Sequence, residues 1–121
     1  MKPLLANNLN SFLKRFDSFR SGELRSIEVI SSSNIIITLA VQDAARGFDW
    51  IGMKFEFNEV EDAKLLEESK LSFVDMSDGI SIIHNDNHFA FGIGECHNIS
   101  SIKSSACYIM SSSLKYQEEL F

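Results

Sequence analysis

The chain has 121 residues, a formal net charge of −6, 45% hydrophobic and 23% charged residues and one proline, enough for one domain with its own core and unlike a disordered chain. The acidic balance argues against nucleic acid as a partner, because phosphate recognition relies on a basic patch. Two cysteines, Cys96 and Cys107, are too few for a disulfide framework. No apolar run reaches bilayer-spanning length, and Asn7, Asn8 and Asn10 interrupt any signal-peptide core, so a soluble, cytoplasmic protein with no membrane partner is expected.

From the N-terminus, Leu5, Leu9, Phe12, Leu13, Phe16 and Phe19 recur at helical spacing. With Pro3 before them and Gly22 after, they predict an amphipathic helix over residues 4–20. Beyond Gly22 the period becomes two. Ile27 and Val29 share one strand face, and Ile35, Ile37, Leu39 and Val41 share the next. Ser31 to Asn34 lie between them, and a three-residue loop with Asn34 in the left-handed region would pair Val29 with Ile37. After QDAARG the alternation resumes with Ile51, Met53, Phe55 and Phe57.

NEVEDAKLLEES reads as a short helix with Asn58 as its cap, LSFVDM as a strand, and SDG as a turn. In ISIIHNDNHFAFGI, a two-residue Asp86-Asn87 turn sets Ile80, Ile82 and His84 opposite Ile93, Phe91 and Phe89. A three-residue loop would waste the aromatic face, so the shorter turn is predicted. ECHNISSIKSS reads as irregular, ACYIMSS as a last strand, and LKYQEELF as a charged tail. The expected fold is one α+β domain over 1–121. It has an N-terminal amphipathic helix on a mostly antiparallel sheet of six to seven strands, with a short second helix.

Candidate chemistry is sparse. His84, His88, Cys96 and His97 invite a metal reading, but the hairpin register puts His84 and His88 on opposite faces, and no paired Cys or His spacing suited to zinc is present. A Cys–His nucleophile pair fails on the same geometry. No serine occupies a G-x-S-x-G elbow, and the GIG of Gly92 and Gly94 lacks the rest of a dinucleotide fingerprint. Those glycines mark a place where something packs close behind the strand. No catalytic residue, cofactor or metal is therefore assigned.

Charge and one tryptophan point elsewhere. Residues 1–25 carry five Lys/Arg against two acids, so they hold +3 and the remainder −9. The densest acidic stretch is Glu56, Glu59, Glu61, Asp62, Glu67 and Glu68, relieved by Lys64. Such a run is ordinarily a solvated face; its sharper reading is a docking surface for a basic partner. Trp50, beside Phe48 and Asp49, alternates with inward Ile51 and is read either as an exposed interface anchor or as covered by the C-terminal tail or the edge of the second helix.

The succession FDSFRSGELRSIEV, NIIITLAV and WIGMKFEFNEV, ending in Phe57-Asn58-Glu59-Val60, resembles small bacterial proteins of polymorphic-toxin immunity type. The resemblance covers the first half of the chain. Those families often carry His-Asp at the turn where this chain has Arg20-Ser21-Gly22-Glu23, so any role of that pair does not transfer. The resemblance implies a stoichiometric protein–protein inhibitor of a basic toxin domain, with Trp50, Glu59, Glu61, Asp62, Glu67 and Glu68 as contact residues. Small acidic secretion chaperones, which commonly dimerise, are a neighbouring alternative. The competing class is a small-ligand or enzymatic domain using the sheet face around His84, Gly92 and Gly94.

Overall fold

Period-two patterning dominates the fold. The structure, a computed structural model, describes residues 1–120. Its strands are β1 (Lys2–Pro3), β2 (Glu23–Ser31), β3 (Asn34–Asp43), β4 (Asp49–Lys64), β5 (Ile80–Asn85), β6 (His88–Ile93) and β7 (Tyr108–Leu120). They form one antiparallel sheet in the order β2-β3-β4-β7-β6-β5, with β1 also paired to β7. The helices are α1 (Leu9–Arg15) and α2 (Ile99–Lys103), with several 3-10 turns. The architecture is α+β, weighted heavily toward sheet. No described helix is long and apolar enough to cross a membrane.

The core is an aromatic cluster between the N-terminal helical segment and one sheet face. Phe55 lies 5.9 Å from Phe12, 5.6 Å from Phe19, and 6.3 Å from both Phe57 and Phe91, measured between ring centroids. Edge-on and tilted pairs at such separations add to simple burial. Matching the face predicted by alternation, Ile35, Ile37, Leu39 and Val41 pair with Phe57, Phe55, Met53 and Ile51, all buried.

The hairpin over 80–93 forms as expected. Ile80, Ile82 and His84 oppose Ile93, Phe91 and Phe89, and Asp86 and Asn87 both take left-handed φ, 51° and 64°. That is the backbone a two-residue turn between twisted strands requires.

Several expectations need correction. Helix α1 covers 9–15 instead of 4–20. Asp17, Ser18 and Phe19 turn to positive φ of 51°, 53° and 62°, which ends the right-handed path. Gly79 accommodates this turn, because a Cβ there would sit 2.0 Å from the Ser18 carbonyl oxygen. The β2–β3 hairpin pairs Val29 with Ile35 and Ser31 with Asn34 across Ser32-Ser33, with an irregularity between Val29 and Ser31. Its register therefore lies two residues from the predicted Val29–Ile37 pairing, and Asn34 is not left-handed.

The short helix predicted from Asn58 is instead the far end of β4, where Val60, Ala63 and Lys64 pair with Ser111, Ile109 and Tyr108. A helix would leave that stretch of β7 without backbone partners on one side. The predicted strand LSFVDM is a 3-10 turn over Glu68–Phe73 followed by an extended passage. Leu71 and Met76 are buried all the same.

The second short helix arises within the polar stretch read as irregular. Asn98 Oδ1 accepts from the Ser101 N–H (2.8 Å) and Ser101 Oγ accepts from the Asn98 N–H (3.1 Å), a reciprocal cap that starts α2. Its Ile102 fills the space behind Gly92, where a Cβ would lie 3.0 Å from Ile102 Cδ1. The charged tail completes β7 up to Leu120.

Candidate interaction surfaces

The strand β4 carries most of the candidate residues and also keeps them apart. Trp50 stands near its start and Glu59, Glu61 and Asp62 near its end. At about 3.3 Å per residue, nine to twelve residues separate them by roughly 30–40 Å. They do not form one contact region. Glu67 and Glu68 lie beyond β4, on the connection toward β5.

At the Trp50 end, apolar side chains face outward. Phe48 is 64% exposed, Trp50 41% and Leu120 71%. Ile51 and Leu120 are ladder partners, and with Arg46, Asp49 and Trp50 they line a hollow of about 440 Å³. Phe48 sits at φ 65°, a conformation uncommon for a bulky residue, held by its N–H donating to the Asp43 carbonyl at 2.8 Å.

Behind this patch is a charge network. Asp43, fully buried, accepts from Arg15 Nε (2.9 Å), Arg15 Nη2 (2.6 Å) and the Ala45 N–H (2.9 Å). Arg46 Nε approaches Asp43 Oδ2 at 3.2 Å, and Arg15 also pairs with Glu118. The Arg15 hydrogen bonds hold the Asp43 carboxyl below the usual carboxylate range, against the opposing effect of burial. The same bonds push the Arg15 guanidinium further up. Arg15 also lies over the Phe16 ring at 4.7 Å. The network therefore fixes Asp43, whose carbonyl holds the Phe48 N–H. Only the Asp43-x-Ala45 turn was discernible locally; Arg15 and Asp43 stand 28 residues apart with no spacing rule to link them.

At the far end of β4 the acids are exposed but partly engaged. Glu59 is exposed at φ 55°, and Glu61 Oε1 lies 3.3 Å from His88 Nδ1. Asp62 Oδ2 accepts from the Tyr108 hydroxyl at 3.0 Å and lies 3.6 Å from Lys103 Nζ.

A third feature joins segments distant in sequence. A groove of about 700 Å³ runs between the start of β2 and the 68–77 connection. Its floor is Leu24, Leu71 and Met76, all nearly buried, and its rim carries Glu23, Glu68 and Asp75 against Arg25.

The His84 region does not assemble as a ligand face. His84 is exposed and meets the Phe89 ring edge-on at 4.7 Å. Ile102 and Ser105 occupy the space behind Gly92, while Gly94 (φ 94°) ends the strand with open space around it. Among the described residues, no three His, Cys, Asp or Glu side chains converge to hold a metal. Burial raises the Cys107 thiol pKa to about 11, the reverse of an activated nucleophile, and burial also raises that of Cys96.

The chain matches no protein-family model, and no significant similarity to a curated protein or to a solved structure was found.

Proposed function

We propose that this protein is a non-catalytic binding module that captures a protein partner through the Phe48, Trp50 and Leu120 patch. The carrying observation is that three large apolar side chains are left exposed at one end of the sheet, Trp50 and Leu120 beside one hollow and Phe48 beside another, near the ion pair of the buried Asp43 with Arg15. Aromatic anchors set on a rigid base hold most of the energy of a typical interface. The net charge of −6 favours rapid capture of a cationic partner. Within this reading the partner is the basic toxin domain implied by the immunity-type resemblance, held stoichiometrically in the cytoplasm.

Affinity capture from the native host tests the reading, with wild type run beside a Phe48→Ser/Trp50→Ser/Leu120→Ser variant. A stoichiometric basic partner recovered by the wild type and lost by the variant supports it. Equal recovery by both, or no stoichiometric partner, counts against it.

A further inference from the structure

We propose that the groove between β2 and the 68–77 connection docks an extended, lysine- or arginine-rich segment of the partner, laid along the free edge of β2. The inference rests on the protein-binding reading above and adds a second surface to it.

Three observations support this. First, β2 is an edge of the sheet, paired on one side with β3 alone. The 68–77 connection lies against β2 without continuing the ladder. Among the described residues, Ser21 N–H to the Met76 carbonyl at 2.8 Å is the backbone hydrogen bond across this boundary, just ahead of the strand. Past Arg25, the outward backbone groups of β2 form an edge to which a strand can be added.

Second, the floor and rim differ in chemistry. Leu24, Leu71 and Met76 form an apolar base, with Val74 beside them, and three carboxylates stand above. Arg25 is the cation among the lining residues, and its Nη2 is 3.1 Å from Glu23 Oε2. Lysine and arginine suit such a site, because their methylene stems lie on apolar surface while the charged head reaches the rim.

Third, Asp75 keeps its charge. Asp75 Oδ1 accepts from the Ser77 N–H at 2.9 Å, which holds its carboxyl below the ordinary range and fixes the rim in place. A second copy of this chain is a poorer occupant: each copy carries −6, and the β2 edge presents Glu23 and Glu28 to its own like.

The test uses the whole protein and an end-blocked peptide of alternating valine and lysine, followed by backbone amide NMR. Binding shifts should cluster at residues 22–27 and 71–77. Glu23→Lys/Glu68→Lys, at two exposed positions, should weaken the peptide about tenfold, and Arg25→Glu should tighten it severalfold. N-methylation at alternate peptide residues should abolish binding. Shifts confined to residues 59–64, affinity indifferent to both variants, or full binding by the methylated peptide would each overturn the proposal. Shifts at β2 that grow with protein concentration alone would replace it with self-association. If the peptide fails while capture still depends on Phe48, Trp50 and Leu120, this groove is refuted and the broader function stands. If both fail, the function itself is refuted.

Discussion

The two ends of β4 organise opposite chemistries. At the Asp49–Ile51 end the buried Asp43 is paired with the part-exposed Arg15 and Arg46, Arg15 also meets Glu118, and Phe48, Trp50 and Leu120 are exposed. At Glu59–Lys64 carboxylates face outward and the apolar side chains Val60 and Leu66 pack against the core. One end inverts the usual arrangement of a globular surface and the other obeys it. At the patch end the buried carboxylate of Asp43 is compensated by its arginines and the exposed rings are not covered. In the proposed function the patch carries recognition, and the acidic end is an ordinary solvated face.

Substitutions can erase, separate or spare this contrast. The largest effect is expected in the shared middle, where Phe55→Ala removes a ring packed against four others. It should cost about 4 kcal/mol in urea unfolding and loosen both ends together. Next, Asp43→Ala leaves Arg15 and Arg46 facing each other without their carboxylate, at a cost of about 3 kcal/mol. Its effect should be confined to the patch end in hydrogen exchange.

The same residue gives a pH signature. Its folded pKa lies below the unfolded value, so its contribution is complete above about pH 3.9 and is lost as pH falls further toward the folded value. The gap in stability between wild type and Asp43→Asn should hold at neutral pH and narrow in acid. Cys107 behaves oppositely. With its pKa raised from 9.0 to about 11, its contribution is complete below pH 9 and fades between these values. A native-state thiol assay at pH 8 should titrate Cys96 and find Cys107 protected until the Lys64 end of β4 opens.

The smallest expected effects fall on exposed groups. Glu59→Gln or Glu61→Gln should change stability by no more than about 0.5 kcal/mol. Trp50→Ser should also be mild in unfolding while abolishing partner capture. A large stability loss from Trp50→Ser would make the patch a structural lid and remove the contrast.

Turn chemistry decided how much of this was legible beforehand. Asp86-Asn87 both tolerate left-handed backbone, so the 80–93 register followed from residue type. Ser32-Ser33 carry no comparable instruction, and the irregularity beside Ile30 shifted that hairpin by two residues. Phe16 and Phe19 kept helical spacing although the chain between them turns left-handed, because burial of both rings rewards either path. Val60, Ala63 and Leu66 likewise fit a helix until β7 provides a partner strand. Alternation put Trp50 on the outer face but left open whether the tail covers it; it is exposed. The groove was not, since its walls lie about fifty residues apart and meet only through tertiary contact.

The placement of β7 has a consequence for assembly. It follows the other six strands in sequence, yet it lies between β4 and β6. Before it pairs, the chain holds a three-stranded piece and a separate two-stranded one, each with an open edge. Joining them requires β4–β7 contacts 44 to 69 residues apart in sequence, and such non-local pairing is slow. Folding should therefore end in one late docking event, during which the exposed edges of β4 and β6 are the positions most open to mispairing.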